Sequence, residues 1–395
     1  MTDKAKLPLW LIALGTGSAV MGITLITPAL PVIVQELDVI PERVQLLLTA
    51  YLVTLATGQL IYGPLSDAFG RRVFFRIGAF LIFASGITSL FASDIFVLTA
   101  CRAVQGLGAA ACISMGRTML NDHFNKEDAS KAMASVQTIQ AIVPMIALSS
   151  GGAIVYYTGW EGVMGLITLT GGILWVCSLT VLPETHISRS SVLKLDTFMQ
   201  SYKAVLTNRL FWNFMLISSF QVGAFFTLNA FIPYAYDNIG TSSLAFGLWF
   251  GMTPVGYMFG NLFNRLYMVK KGIERAALYG CVFASLSLAL LLTGQLASLK
   301  SPLVLALPCI CFGFANGLTV ANATIGGIGA ARPNAGTASG LIGAFTMMIG
   351  AVGGVIVISL GADKSVITGI VCLLVMVLLS LISAIAINRT KHSSS

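Results

Sequence analysis

Unbroken apolar runs of about twenty residues recur along the whole chain, and they constrain its fold more than any other feature. The hydrocarbon core of a bilayer is about 30 Å thick and a helix rises 1.5 Å per residue, so about 20 apolar residues make one crossing. Twelve runs of that kind can be marked, at 9–30, 44–64, 75–92, 96–116, 132–157, 163–182, 210–235, 244–264, 276–296, 302–328, 338–361 and 366–387. Apart from Arg76 at the edge of the third, only the fourth run holds a charge, Arg102. A transmembrane barrel would show short alternating segments instead. Composition agrees, with 56% hydrophobic and 10% charged residues and a mean hydropathy of +0.87. A soluble domain carries about 25% charged residues. These values exclude a soluble enzyme, a disordered chain and a nucleic-acid binder.

The loops orient the runs. With the N-terminus in the cytoplasm, nineteen Lys and Arg fall inside, and only Arg43, Lys300 and Lys364 fall outside. Cytoplasmic loops collect Lys and Arg, so both termini are expected inside. This distribution also accounts for the net charge of +8 without an anionic partner. The stretch from Leu7 to Val34 exceeds the apolar core of about 7–15 residues in a secretory signal, which marks it as an uncleaved first helix. The longest polar interval, Pro183–Arg209, divides the chain into an N-terminal half (1–182), a cytoplasmic linker (183–209) and a C-terminal half (210–395). The seven cysteines lie within apolar runs and form no Cys-x-x-Cys pair, and the three histidines sit in polar segments. Neither a metal nor another cofactor is expected.

Three motifs carry information. Between the second and third runs stands Gly63-Pro-Leu-Ser-Asp67-Ala-Phe-Gly70-Arg71-Arg72, read as a tight turn in which Gly63 and Gly70 allow close approach and positive φ. A related stretch, Gly260 to Arg265 and then Lys270-Lys271-Gly272, stands at the matching place in the second half. The fourth run contains Arg102-Ala-Val-Gln105-Gly106-Leu-Gly108, with Arg102 roughly 9 Å inside the membrane from its outer end. A charge there costs at least about 2.5 kcal/mol and should face a cavity or a partner, the alternative being an Arg that snorkels to the outer interface. Gly106 and Gly108 suit close helix packing.

The first of these motifs matches G-x-L-x-D-x-x-G-R-R at every named position and resembles the signature loop of the major facilitator superfamily. Arg102-x-x-Gln105-Gly106 resembles the corresponding motif of proton-driven drug exporters in that superfamily. Thr27-Pro28-Ala-Leu-Pro31, Asn322-Ala-Thr and Gly336-Thr-Ala-Ser-Gly340 are similar to the bicyclomycin-resistance (Bcr/CflA-type) branch. The resemblance implies an all-α membrane protein whose twelve transmembrane helices form two six-helix pseudo-symmetric halves. It also implies a gating latch made by Gly63, Asp67, Gly70, Arg71 and Arg72. Two departures stand out. Thr24 occupies a place where the branch usually carries aspartate, and Ala147-Leu-Ser-Ser-Gly151-Gly152 keeps only the last glycine pair of the family's fifth-span motif.

None of the fifteen acids lies in mid-span. A cavity holding one Arg and no acid should disfavour cations. Candidate substrate-binding residues are Thr24, Tyr51, Arg102, Gln105, Gln221, Phe225, Asn229 and Asn316, with Gln59 and Asn322 as further polar positions; each alone also suits a helix–helix hydrogen bond. The function expected is secondary active transport in the inner membrane, exporting a small organic compound by alternating access, with protons as an optional coupling ion, as a monomer. A dedicated exporter of an endogenous anionic metabolite such as a carboxylate siderophore and an uptake symporter stay open as alternatives. A non-transporting sensor or scaffold has little loop surface to work with. No nucleotide-binding stretch and no catalytic pair is present, so neither an enzyme nor an ATP-driven pump is expected.

Overall fold

In the computed structural model, which describes residues 7–124, 126–185, 195–332 and 334–392, nearly every described residue is helical. The first set of helices is α1 (Leu9–Thr24), α2 (Leu30–Glu36), α3 (Pro41–Phe69), α4 (Arg71–Leu90), α5 (Ile95–His123) and α6 (Lys126–Val181). After α7 (Leu195–Leu206) come α8 (Arg209–Asp237), α9 (Ser243–Phe250), α10 (Thr253–Phe263), α11 (Ile273–Leu296), α12 (Pro302–Ala330), α13 (Ala335–Ser359) and α14 (Val366–His392).

Local chemistry sets many of the boundaries. Pro41 and Pro302 open α3 and α12, where a missing N–H costs nothing. Asp94 caps α5 by accepting from the Phe96 N–H at 2.9 Å, and Asn208 caps α8 by accepting from Leu210 and Phe211. Gly70 (φ +101°) and Gly272 (φ +92°) end one helix and start the next at matching points of the two halves.

The structure refines the sequence-based spans in several places. The first run is broken after Thr24, continues as a 3-10 turn at Thr27–Ala29 and resumes as α2. Pro28 and Pro31 have no N–H for the carbonyls four residues earlier, so a continuous helix cannot close its ladder there. The fifth and sixth runs are two helices that meet directly at Gly159 (φ +71°, ψ −174°), with no loop between them. The eighth run is two short helices separated at Gly251-Met252. Within the linker, α7 is helical and buries Val205 among Phe211, Met215 and Leu341. Gly63 lies inside α3, so the turn of the first motif is made by Gly70 alone.

By length and composition, ten helical segments among the described residues can cross a membrane. Their outer surfaces are apolar: Trp10, Ile61, Phe96, Leu169, Leu286 and Ile382 are all exposed. That much exposed apolar surface marks contact with lipid rather than water.

The two chain halves pack through α3 against α13 and through α6 against α9 and α10. Small residues permit the approach. A Cβ on Gly152 would stand 2.3 Å from the Ser243 carbonyl oxygen, and one on Gly247 2.7 Å from that of Leu148. One large apolar cluster unites both halves, taking from the second half residues such as Phe231, Tyr236, Phe246, Leu305 and Val357. These lie toward the end of the bundle that holds the 91–94 and 238–242 loops. Toward the opposite end, where Lys and Arg concentrate, two smaller clusters contain only residues that follow the linker's start. The apolar cluster common to both halves therefore draws on the second half toward one end, and toward the other the second half's apolar residues group apart from it.

Candidate functional site

Arg102 is fully buried on α5. Its guanidinium donates to the Gly22 carbonyl of α1 at 2.5 Å, to Gln105 Oε1 at 2.7 Å and to the Leu47 carbonyl of α3 at 3.4 Å. It lies over the Tyr51 ring at 4.3 Å from the centroid, and the Tyr51 hydroxyl donates to the Ala19 carbonyl at 2.8 Å. The break in the first span explains this arrangement. The last carbonyls of a helix have no partners within it. Here Leu25 N–H serves Met21, the Thr27 hydroxyl serves Ile23, and Arg102 serves Gly22. The cation thus sits at the negative end of the α1 dipole, which favours it further.

Each fixed letter of Arg-x-x-Gln-Gly gains a reason. Arg102 ties α5 to α1 and α3, and Gln105 holds the guanidinium from its own helix. Gly106 lets α5 reach α3, since a Cβ there would stand 2.4 Å from the Tyr51 carbonyl oxygen. Gly108 does the same toward α4, 2.5 Å from the Gly78 oxygen. Gly22 is also required, because a Cβ there would meet the Tyr51 hydroxyl at 2.7 Å.

The same break touches the second half. Thr27 Oγ1, whose single proton is shared between the Ile23 carbonyl (3.2 Å) and Asn229 Oδ1 of α8 (3.3 Å), reaches the second half, and Asn229 Nδ2 donates to the Phe225 carbonyl at 2.6 Å. Phe225 stacks on Phe250, which stacks on Phe246, which meets Tyr236 edge-on. A second link joins Ser149 Oγ of α6 to the Gly247 carbonyl of α9 at 3.1 Å. Thr27 and Ser149 both stand in stretches singled out above, yet neither stretch marks its hydroxyl as a contact with the second half.

Of the positions chosen from sequence, Tyr51, Arg102 and Gln105 gather at the α1 break, and Asn229 and Phe225 join it through Thr27. Thr24 ends α1, buried, with its hydroxyl on the Val20 carbonyl. Gln221 lies elsewhere: its amide donates to Ser380 Oγ of α14 at 2.9 Å and approaches Cys281 Sγ of α11. Asn316 donates to the Phe312 carbonyl, and its buried Oδ1 has no partner. Asn322 donates to Asn264 Oδ1 at 2.8 Å, and Gln59 lies beside Gly343 of α13.

The first motif forms a knot within its own half. Glu184, just beyond α6, accepts from the backbone N–H groups of Arg71 (3.1 Å) and Arg72 (3.3 Å), placing an anion on the α4 N-terminus. The Arg71 side chain pairs with Asp122 at 3.1 Å and donates to Ser66 Oγ. Arg76 donates to the Ser178 and Leu179 carbonyls at the end of α6. Gly70 is required twice, by its positive φ and because a Cβ would stand 2.6 Å from the Glu184 carboxylate. The Asp67 side chain lies outside the described residues. Glu184 and Asp122 were not foreseeable from spacing, since each comes from a different helix end.

Carboxylates occupy helix ends: Glu36 ends α2, Glu42 opens α3, Asp237 ends α8 and Glu274 opens α11. Among the described residues no group of His, Cys, Asp and Glu is arranged to hold a metal, and all seven cysteines are free.

A bundle of membrane-length helices packed around a buried polar centre is the build of a membrane carrier. A profile of the Major Facilitator Superfamily matches residues 12–356, and the chain belongs to that family. It is 29% identical to a bicyclomycin resistance protein homologue of Haemophilus influenzae over 87% of both chains. It is 26% identical to a chloramphenicol resistance protein of Pseudomonas aeruginosa over 61% of this chain and 57% of that protein. In fold it matches a D-xylose–proton symporter with a TM-score of 0.77 at 14% identity, over 95% of both chains. A bacterial homologue of the lysosomal transporter Spinster, solved inward-facing and unoccupied, matches with a TM-score of 0.74 at 13% identity, over 95% of this chain and 94% of that one. The chain is therefore a multi-pass membrane transporter and not an enzyme.

Proposed function

We propose that the protein exports a small neutral or anionic organic compound across the inner membrane by alternating access. The observation that carries this reading is the apolar cluster that draws on the second half toward one end, while toward the other the second half's apolar residues group apart from it. Such a core lets two rigid halves rock about a central site. The Lys- and Arg-rich end is cytoplasmic by the positive-inside rule, which puts both termini inside and makes this the inward-facing state. Residues 1–182 and 210–395 act as the two halves, joined by 183–209, in a transporter that works as a single chain. Twelve crossings follow if the segment Thr138–Val181, about 66 Å long if straight, crosses twice around Gly159, and α9 with α10 crosses once.

Charge supports the substrate class. The buried cation at the α1 break has no carboxylate among its partners, and the described acids sit at helix ends. That uncompensated positive charge disfavours a cationic drug near it. An anion leaving a negative-inside cell gains about 2.3 kcal/mol per charge per 100 mV. The gating role of Gly63, Asp67, Gly70, Arg71 and Arg72 is part of the same reading: in the inward-facing state the knot on Arg71 is held by its own half.

The test is transport in proteoliposomes with pH gradient and voltage imposed separately, comparing chloramphenicol as a neutral probe with an organic carboxylate and a quaternary amine. Uptake of the first two without the third is expected. Strong exchange of the quaternary amine for protons overturns the substrate class.

A further inference from the structure

At the Lys- and Arg-rich end, α11 and α14 lie side by side and leave a cleft of about 390 Å³ lined by Arg275, Leu278, Tyr279, Ile385, Asn388 and Arg389. Asn388 Nδ2 donates to the Glu274 carbonyl at 3.2 Å and ties the two helix ends together beneath it. Arg275 and Arg389 are exposed, and neither has an ion pair or side-chain hydrogen bond among the described residues. Lys271 adds a third cation, 6.0 Å from the centre of the Tyr279 ring. Glu274 is the acid nearest in sequence.

Beyond the cleft the two packed helices carry exposed apolar stripes that form the furrow proposed below. On α11 the stripe runs Arg275, Tyr279, Val282, Leu286, and on the antiparallel α14 it runs Arg389, Ile385, Ile382, Leu378, each at three- or four-residue steps along one helix face. All six apolar members are exposed. Two guanidinium groups at the level where helices leave the hydrocarbon, above two exposed apolar stripes, match the outline of a lipid with a phosphate head and an acyl chain. Arginine forks suit phosphate oxygens, and basic pockets between helix ends select anionic headgroups.

We propose that this cleft binds an anionic phospholipid, with Arg275 and Arg389 on the phosphate and one acyl chain along the α11–α14 furrow. The site is far from the α1 break and does not depend on which substrate is carried. Net charge decides the choice of lipid: a zwitterionic headgroup brings its own cation against three already present, whereas phosphatidylglycerol does not.

The test uses the purified full-length protein in neutral detergent, titrated with short-chain phosphatidylglycerol, short-chain phosphatidylcholine and inorganic phosphate. Bound lipid is counted by native mass spectrometry and followed by thermal shift. Phosphatidylglycerol should bind at least fivefold tighter than phosphatidylcholine, and R275Q/R389Q should abolish that preference while K300Q at the opposite end keeps it. I382S/I385S should weaken phosphatidylglycerol without strengthening inorganic phosphate. Equal binding of the two lipids to the unmodified protein, or a preference that survives R275Q/R389Q, overturns the proposal. Inorganic phosphate competing as well as phosphatidylglycerol would show a soluble-anion site and overturn the lipid assignment. The lipid comparison on the unmodified protein stays decisive even if a variant fails to fold.

Discussion

Replacing Arg102 by Met removes the charge and hydrogen bonds while keeping most of the side-chain volume, so the tie can be weighed apart from packing. Gly22 O and Gln105 Oε1 lose close donors at 2.5 and 2.7 Å, whereas the 3.4 Å contact to Leu47 O is long and contributes little. Two buried acceptors left unsatisfied cost about 1–3 kcal/mol each. Loss of the contact with the Tyr51 ring adds about 1 kcal/mol. Against this, the variant no longer holds a charge in the membrane, which returns about 2.5–3.5 kcal/mol. The net expectation is a loss of about 2 kcal/mol. Thermal melts followed by the fluorescence of the five tryptophans should show a fall of several degrees. Arg102→Lys should recover part of it, because one ammonium cannot serve Gly22 and Gln105 and also lie flat on Tyr51. Transport should lose maximal rate with little change in KM. A variant with unchanged melting and a KM raised only for anions would refute the tie and make Arg102 a substrate ligand.

Further outcomes follow from single contacts. Gly106→Val should abolish folded protein, since its side chain enters space held by the Tyr51 carbonyl and Thr54, whereas Gly336→Ala, with open space around it, should express and transport normally; gel filtration of fluorescent fusions separates the two. Glu184→Gln should cost about 1 kcal/mol by weakening the anion on the α4 N-terminus, while Gly70→Ala should cost more, because backbone and carboxylate both oppose it; melting curves rank them. Joining Thr27→Cys to Asn229→Cys with a short bifunctional thiol reagent should stop transport reversibly, because it fixes the halves at the end where they share one apolar cluster. Gly247→Leu should wedge α9 from α6 and raise thiol labelling of cysteines placed near that end; unchanged labelling would count against close packing there.

The helices were legible because lipid imposes a length and a composition on every crossing, and both can be read residue by residue. Their interruptions were less so. Pro28 and Pro31 were visible, yet a proline can also kink a span without ending it, and only the positions of Arg102 and Thr27 show that the freed carbonyls are served. Gly159 was hidden inside a short polar interval that reads equally well as a loop. Arg102 stood out as the only charge in mid-run, but its partners are two backbone carbonyls and an aromatic face, none of which leaves a mark in sequence. Gln221 and Gln105 were both candidate binding residues, though only Gln105 stands in a motif. Gln105 on α5 faces the α1 break, whereas Gln221 on α8 faces the seam with α11 and α14. The first motif showed its glycine and arginines, while the acids that hold them, Glu184 and Asp122, come from other helix ends.

A break in the first span and a buried cation beside it solve one problem together. The broken helix brings free carbonyls into a region without water, where each would be costly. A guanidinium satisfies them, and those carbonyls in turn justify a charge that lipid would otherwise expel. The pairing is also directional. Arg102 rides on α5 and grips α1 and α3 within the first half, while Thr27 reaches from the break across to Asn229 in the second half with one longer hydrogen bond. On the proposed rocking of the halves, the longer Thr27–Asn229 contact is the one expected to yield, and the guanidinium is expected to hold α1, α3 and α5 together. The tie within the first half and this polar contact with the second both originate at the same interruption in the first apolar run.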